Sequence, residues 1–350
     1  MIARHVRKLE AYVPGEQPKA RSVVKLNTNE NPYPPSPKCS DVLRRFSLDK
    51  LRRYPDPVFS DLRAAIAELN GARPENVFVG NGSDEILTIA ARTFVEDDEA
   101  IGSLDPSYSL YKTLAAIRNV KWIGAAKLAA DPRVSLFLLT NPNAPTGEFR
   151  EPCDIAAFAK KFRGVLIVDE AYADFARANC MSLATAKSNR NVIVMRTFSK
   201  SYSLAGLRAG YCVGPKALID AMYKVKDSYN VDAVAQAIAL AAFRDQKWMR
   251  GNVAKVVRTR ARFTAELVKR GWDVIPSESN FVFAKPPAPG KAADIFAGLR
   301  ERNIFVRYFR GPKTGDRLRI TIGTDGQMRA LLSALDRYMG SKIMPTSMTI

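Results

Sequence analysis

The chain has 350 residues, 47% hydrophobic and 25% charged; this is globular composition, and no apolar run approaches the roughly 20 residues of a membrane-spanning helix. One histidine, His5, and four scattered cysteines, Cys39, Cys153, Cys180 and Cys212, exclude a Ser-His-Asp or Cys-His hydrolase and a multi-histidine metal site. The formal charge of +19 raises nucleic acid as a partner, but the basic residues are dispersed among apolar ones without an RNP, zinc-finger or basic-zipper pattern, so anionic small-molecule substrates are the better expectation.

The N-terminus, MIARHVRKLEAYVPGEQ, lacks the apolar core of a signal peptide, and no CxxC occurs, so a cytoplasmic protein with free thiols and no metal is expected. The first forty-odd residues are rich in Pro, Asn and Lys and predict an extended arm with turns. DLRAAIAELNG predicts a helix closed by Gly71. VFVG (77–80) reads as a short buried strand, followed by a turn and the helix SDEILTIAARTF. VSLFLLT (134–140) and GVLIVD (164–169) are continuous apolar runs of the kind found in strands covered on both faces, with the helical EPCDIAAFAKKF between them. NVIVMRT (191–197) and GYCVG (210–214) are further strands. A long helical stretch then runs to about Arg270. FVFAK (281–285), a helix near 291–302, IFVRYF (304–309), RLRITIG (317–323), a final helix and a loose tail, GSKIMPTSMTI, complete the chain. The rhythm predicts an α/β fold: a mainly parallel sheet between helices, joined to a smaller α+β domain. The expected division is 1–45 as arm and part of the small domain, 46–240 as the large domain, and 241–350 as the small C-terminal domain.

Ligands of open α/β sheets bind at the carboxyl ends of strands, and four turns there carry polar residues. In VFVG-NGSDE, Gly80 and Gly82 allow a tight turn, and Ser83 and Asp84 open a helix whose free N–H groups suit a phosphate, although both are also ordinary N-caps. Asp169 ends the strand GVLIVD with Glu170 beside it; a buried carboxylate needs a cation or hydrogen bonds, which fits either a ligand or a structural ion pair. In RTFSKSYSLAGLRAGY, Lys200 sits in a Ser/Thr-rich loop where a desolvated amine can form a Schiff base, and Ser199 and Arg208 can bind phosphate; the alternative is a solvated lysine. TNPNAPTGE (140–148) is a rigid polar loop. A Schiff-base lysine, phosphate donors at two turns and a strand-end carboxylate together fit pyridoxal 5′-phosphate, whose ring nitrogen the carboxylate would keep protonated. No GxGxxG follows a strand and no GxxxxGK[ST] occurs, which disfavours Rossmann and P-loop readings.

LNTNENPYPPSP (26–37), RRYPDP (52–57), GNGSDE (80–85), DPSYSLY (105–111), NPNAPTG (141–147), VDEAYADF (168–175), TFSKSYSLAGLRAGY (197–211), SNFVF (279–283) and RLRITIG (317–323) resemble, in order and combination, the fold-type I pyridoxal-phosphate aminotransferases, and most of all the histidinol-phosphate aminotransferase family. The resemblance spans essentially the whole chain. It implies that Lys200 binds the cofactor covalently and moves the substrate proton, that Asp169 pairs with the ring nitrogen, that Tyr172 hydrogen-bonds the ring hydroxyl and that Tyr108 stacks on the ring. Ser83, Asp84, Thr197, Ser199 and Arg208 would surround the phosphate. Tyr54 would reach the phosphate of a neighbouring subunit, which makes a homodimer with shared sites. Asn29 and Glu30 would lie near the substrate's imidazole end, and Arg307 and Arg319 would hold its anionic group. Two departures stand out. The family's Asn before Pro-Thr-Gly is Ala144 here, leaving the ring-hydroxyl contact to Tyr172 or to Asn143 through a shifted loop. The connection between KWIGAAK and DPRVSLFLL is also short, which puts the edge of the large domain in question.

The implied activity is exchange of the amino group between L-histidinol phosphate and 2-oxoglutarate. The rivals are a broader aromatic aminotransferase, a decarboxylase of a phosphorylated amino acid, and a non-catalytic anion- or nucleic-acid-binding protein on the same fold; intact Lys200 and Asp169 oppose the last.

Overall fold

The computed structural model describes residues 1–9, 15–18, 22–188 and 190–343; parts of the predicted arm, and the predicted tail from 344 onward, lie outside the described residues. The strands are β1 (Val24–Lys25), β2 (Val77–Gly80), β3 (Ala100–Leu104), β4 (Lys121–Ala125), β5 (Val134–Thr140), β6 (Val165–Asp169), β7 (Val192–Thr197), β8 (Gly210–Val213), β9 (Asp273–Ile275), β10 (Phe281–Lys285), β11 (Ile304–Phe305), β12 (Arg307–Tyr308) and β13 (Leu318–Thr321). The helices are α1 (Pro37–Arg45), α2 (Ser60–Asn70), α3 (Ser83–Phe94), α4 (Leu110–Arg118), α5 (Pro152–Lys161), α6 (Met181–Thr185), α7 (Lys216–Val225), α8 (Ala233–Arg244), α9 (Gln246–Lys269), α10 (Ala292–Glu301) and α11 (Asp325–Ile343).

Seven strands form one sheet in the order β2-β8-β7-β6-β5-β3-β4. The apolar runs β5, β6 and β7 lie side by side and parallel in its middle. Their side chains alternate between two cores. Leu136, Leu138, Ile167, Ile193 and Met195 pack with residues of α3, α4 and α7. Phe137, Leu139, Leu166, Val168, Val192 and Val194 face a second core that takes in α5, α6, α8 and α9. Both faces are therefore apolar, which is why these strands read as continuous hydrophobic runs. The sheet is mainly parallel as predicted, with β8 antiparallel to both β2 and β7.

Two strands of this sheet escape the sequence pattern. In β3, Gly102 and Ser103 interrupt the apolar run; Gly102 is needed because a Cβ there would lie 2.8 Å from Phe137 and Val134 side-chain atoms. β4 is an edge strand and only half-buried. It pairs with β3, which pairs on its other side with β5, so the short connection before β5 leaves the sheet edge intact.

A second sheet, β12-β13-β10-β9, is antiparallel, and β1 pairs with β11 as a two-stranded parallel ribbon. The predicted strand 304–309 is thus divided at Val306: Ile304–Phe305 binds the arm and Arg307–Tyr308 binds β13. The arm is not wholly extended, because α1 opens at Pro37, with Ser36 accepting the N–H of Lys38 at 3.2 Å. Proline suits a first helical position, where its missing N–H has no partner to lose. The helical stretch after Gly214 is likewise three helices, with Asp232 capping α8 through the N–H of Ala235. No described helix is long and apolar enough to cross a membrane.

At the ends of β6 and β7 the fold buries an ion pair. Glu170 accepts both Nε and Nη2 of Arg196 on one oxygen, at 2.9 and 2.8 Å, and its other oxygen accepts the N–H of Cys180. Arg196→Met leaves that carboxylate buried without its cation, and the expected loss is about 3–5 kcal/mol in denaturant unfolding. The double variant Glu170→Met/Arg196→Met is expected to recover most of it; equal losses in both would mean that the charge pair is not the cause.

Candidate active site

The last residues of β3, β5, β6 and β7, namely Leu104, Thr140, Asp169 and Thr197, converge on a cavity of about 900 Å³. Its wall is completed by Asn29 and Thr28 of the arm, by the start of α3, and by Arg307, Phe309 and Arg319 of the second sheet region. The parallel sheet dictates this position, since adjacent strand ends open on the same side.

Asp169 is 4% exposed. Its two hydrogen-bond partners are neutral: Tyr111 donates at 2.8 Å and the N–H of Ala171 at 3.1 Å. Burial pushes its carboxyl up to about 6, against the lowering pull of these two donors, and the charges of Asp84 and Glu170 push in the same direction as burial. The structural ion pair that the sequence left open for Asp169 is taken by Glu170 instead.

Lys200 lies in the loop joining β7 to β8. Asn31 holds that loop by donating to the carbonyls of Lys200 and Ser201 at 3.1 and 3.3 Å. The Lys200 amine donates to the carbonyl of Thr28 at 3.2 Å and stands 5.9 Å from the centre of the Tyr172 ring. Burial, and then the charge of Arg319, bring it down to about 8. A substantial fraction of the amine is therefore neutral near pH 8, which is the form that attacks a carbonyl carbon. The Tyr172 hydroxyl accepts from Asn29 at 2.9 Å.

An anion cup lies beside these groups. Gly82 (φ 82°) precedes α3 and exposes the first N–H groups of that helix at Ser83 and Asp84. Thr197 and Ser199 bring two hydroxyls 2.9 Å apart. The Arg208 guanidinium reaches Asp84 at 3.4 Å. A Cβ on Gly82 would stand 2.6 Å from Arg208, and one on Gly210 2.7 Å from the Ser83 nitrogen, so both glycines keep the cup open. Tyr108 joins it through a 3.4 Å hydrogen bond to Asp84.

A second cationic wall comes from the antiparallel sheet. Arg307 and Arg319 are register partners on β12 and β13. Both guanidinium carbons stand 5.2 Å from the centre of the Phe309 ring, and Arg319 also donates to the carbonyl of Asn27 at 2.9 Å. Both arginines line the cavity, so the inward orientation that the strand pattern left open is the one adopted.

Three anticipated residues do not line this cavity. Asn143 is turned into its own loop, donating to the Pro106 carbonyl at 3.1 Å and to Thr146 at 3.0 Å while accepting from Ser107 at 3.0 Å. Its carboxamide is consumed there, and Ala144 faces the cavity. The structure therefore brings Asn29 to Tyr172 and turns the Asn143 side chain into its own loop, away from the cavity. Glu30 pairs with Lys25 outside the cavity wall. Tyr54 is 79% exposed and stacks on Tyr229, with ring centres 4.2 Å apart. Conversely, Tyr111, Thr140, Thr28, Phe309 and Arg310 belong to the site or its support and were not anticipated. For Tyr111 a signal existed: it lies three residues beyond Tyr108 in DPSYSLY, one helical turn away.

Comparison with known proteins follows this geometry. The model of the class I and II aminotransferase family matches residues 21–335. The chain is 42% identical to a histidinol-phosphate aminotransferase of Microcystis aeruginosa, over 96% of this chain and 98% of the relative. It is 43% identical to histidinol-phosphate aminotransferase 2 of Burkholderia mallei, over 96% and 98%. Among solved structures, the histidinol-phosphate aminotransferase of Sinorhizobium meliloti in complex with pyridoxal-5′-phosphate is similar with a TM-score of 0.86 and 25% identity, covering 97% of this chain and 98% of that one.

The raised pKa of Asp169 has a stability consequence. Below its ordinary value of 3.8 the carboxyl is protonated folded or unfolded and costs nothing. Between that value and about 6 the unfolded chain ionises while the buried carboxyl stays protonated, so stability falls across this window and levels off above it. At ~1.4 kcal/mol per unit, Asp169→Asn is expected to stabilise the cofactor-free chain by about 3 kcal/mol above pH 7 and to leave it unchanged below pH 4. Urea unfolding at both pH values checks this; a gain of the same size at pH 4 would assign it to packing.

Proposed function

The chain belongs to the class I and II aminotransferases and, within them, to the histidinol-phosphate aminotransferase family, and from that premise we propose that it exchanges the amino group between L-histidinol phosphate and 2-oxoglutarate in histidine biosynthesis, with pyridoxal 5′-phosphate as cofactor. The observation that carries this reading is the single cavity lined by a buried carboxylate with neutral partners, a lysine with a lowered pKa and an open anion cup. A protonated ring nitrogen satisfies Asp169, an aldehyde carbon suits the Lys200 amine, and a phosphate fills the space that Gly82 and Gly210 keep clear. The residues fit the group.

When bound, the cofactor ring withdraws electrons from the substrate Cα and weakens its C–H bond. Asp169 supplies the negative charge that keeps the ring nitrogen protonated. Lys200 takes the proton from the substrate Cα and later returns one. Tyr172, oriented by Asn29, faces the ring hydroxyl, Tyr108 lies against the ring, and Thr197, Ser199, Arg208 and the α3 N–H groups receive the phosphate. Arg307 and Arg319 take the anionic end of the substrate; two guanidinium groups suit a phosphate dianion in one half-reaction and a carboxylate in the other. The lining by Tyr108, Trp122 and Phe309 favours a second reading, a broad aromatic aminotransferase. A screen of amino donors against the purified holoenzyme separates the two, since only the first requires histidinol phosphate to be the preferred donor.

The reading also includes a homodimer with shared sites. In support, Tyr54 lies outside its own cavity, and exposed Leu48, Leu51 and Val58 surround it in the chain. It includes a cytoplasmic location, to which the four free thiols are suited. It also includes a division into 1–45, 46–240 and 241–350. The seven-stranded sheet falls within 77–213 and the antiparallel sheet within 273–321, while β1 ties the arm to β11.

Lys200→Ala is expected to abolish turnover. Borohydride treatment followed by peptide mapping should fix the cofactor to Lys200 in the parent chain and to no residue in the variant; attachment at another lysine would remove the assignment. In the parent, attachment should quicken with pH around a midpoint near 8, because the neutral amine is the reacting form. Arg319→Ala is expected to raise KM for both substrates by roughly ten- to a hundredfold, the loss of about 1.5–3 kcal/mol in charged hydrogen bonds. Arg307→Ala should harm histidinol phosphate more than an aromatic amino acid; equal losses would favour the second reading. Tyr54→Phe is expected to weaken cofactor binding without unfolding the chain, measured by cofactor titration, and unchanged affinity would contradict the shared site.

A further inference from the structure

Tyr111 is fully buried in α4, and its hydroxyl touches two groups: the Asp169 carboxylate at 2.8 Å and the Thr140 hydroxyl at 2.6 Å. Thr140 and Asp169 are register partners at the ends of β5 and β6. A phenol carries one proton, and an ionised carboxylate has none to give, so Tyr111 must donate to Asp169. Thr140 must then donate to Tyr111. The next hydroxyl, Ser107, gives its own proton to Asn143 at 3.0 Å and lies 3.4 Å from Thr140. The chain of donation therefore runs one way, from β5 through α4 into the carboxylate.

We propose that Tyr111 is a positioning residue for the reaction: its hydroxyl, aimed by Thr140, holds the Asp169 carboxylate in place and in its charged form, ready to pair with a cationic ring nitrogen. This rests on the reading of Asp169 given above. Asp169 needs such a partner because its surroundings work against its charge. Asp84 at the start of α3 and Glu170 next in the chain are both anionic and raise its pKa. Tyr108, before α4, and Lys200, after β7, share the cavity wall with it. Among the donors to Asp169, Tyr111 is the stronger in lowering the pKa, ahead of the Ala171 N–H. Burial and the adjacent Asp169 charge raise the phenol's own pKa well above its ordinary value, so the proton stays on Tyr111 through the working range. The edge-on contact of the Tyr108 and Tyr111 rings, 5.6 Å between centres, links the same residue to the ring face of the site.

The test is Tyr111→Phe, which keeps the ring and removes the hydroxyl. In the full-length chain without cofactor, the infrared carboxylate band assigned to Asp169 by its loss in Asp169→Asn reports the midpoint of ionisation. The expected midpoint is near 6 in the parent and about one unit or more higher in the variant. Titration of pyridoxal 5′-phosphate should then show binding weaker by about threefold or more at pH 6.5, with the gap closing toward pH 9. In an Asp169→Asn background Tyr111→Phe should show no such pH-dependent loss. A folded variant with an unmoved midpoint overturns the proposal, as does an equal, pH-independent loss in both backgrounds, which is what a purely structural role would give. If Tyr111→Phe does not fold, Thr140→Val decides: a smaller upward shift is expected, and none overturns it. A parent chain that binds no cofactor would instead refute the reading of the site, while the infrared midpoint would still judge Tyr111.

Discussion

A carboxylate buried at the end of a strand with only neutral partners is the constraint around which the site is built. An unpaired buried charge is costly, and folded proteins ordinarily pair it. Glu170 follows that rule through Arg196, whereas its neighbour Asp169 does not. The same strand end therefore carries one acid paired with a cation and one whose hydrogen-bond donors are neutral, as the proposed pairing with a cationic ring nitrogen requires. The parallel sheet makes this possible, because β5, β6 and β7 end together and lend Asp169 the donors of Tyr111 and of its own turn without lending it a positive charge.

Lys200 is the counterpart. Burial pushes Asp169 up and Lys200 down, each toward its neutral form. Near neutral pH both groups are still largely charged in places that disfavour charge, so both store unfavourable free energy in the folded chain. A ligand with a cationic ring nitrogen and an electrophilic carbon relieves both at once. Binding and folding are coupled through the same two residues, and the site is a place where stability is given up for chemistry.

Among the basic residues of the chain, Lys112, Lys200, Arg208, Arg307, Arg310 and Arg319 line the cavity. Arg208, the α3 N-terminus and two hydroxyls could receive one anion, and Arg307 and Arg319 beside Phe309 could receive another, in the reading proposed above. Both guanidinium groups stand 5.2 Å from the centre of the Phe309 ring, whose electron-rich face attracts each of them. Two anion sites in one cavity match a phosphorylated cofactor and an anionic substrate held together.

Much of this was legible in the sequence, for a physical reason. A strand covered on both faces must be apolar throughout, so β2, β5, β6 and β7 announce themselves; an acid, a lysine or a glycine just beyond such a run breaks that pattern conspicuously, which is how Asp169, Lys200 and Gly82 could be singled out. Resemblance to a family added the residues of the cup and the two arginines. β3 and β4 escaped because a glycine demanded by close packing and an edge position both dilute the apolar signal. What tertiary structure alone decided is which polar atoms meet. On paper Asn143 could serve a ring hydroxyl and Asn29 the far end of the substrate, yet the first is spent inside its loop and the second reaches Tyr172 from an arm 143 residues away in sequence. Tyr111 reads as a core residue until Thr140 and Asp169 are seen on either side of its hydroxyl. Hydrophobic burial depends on periodicity along the chain and is written in one dimension. A hydrogen bond depends on the direction of a single atom, and that is settled only when distant segments pack.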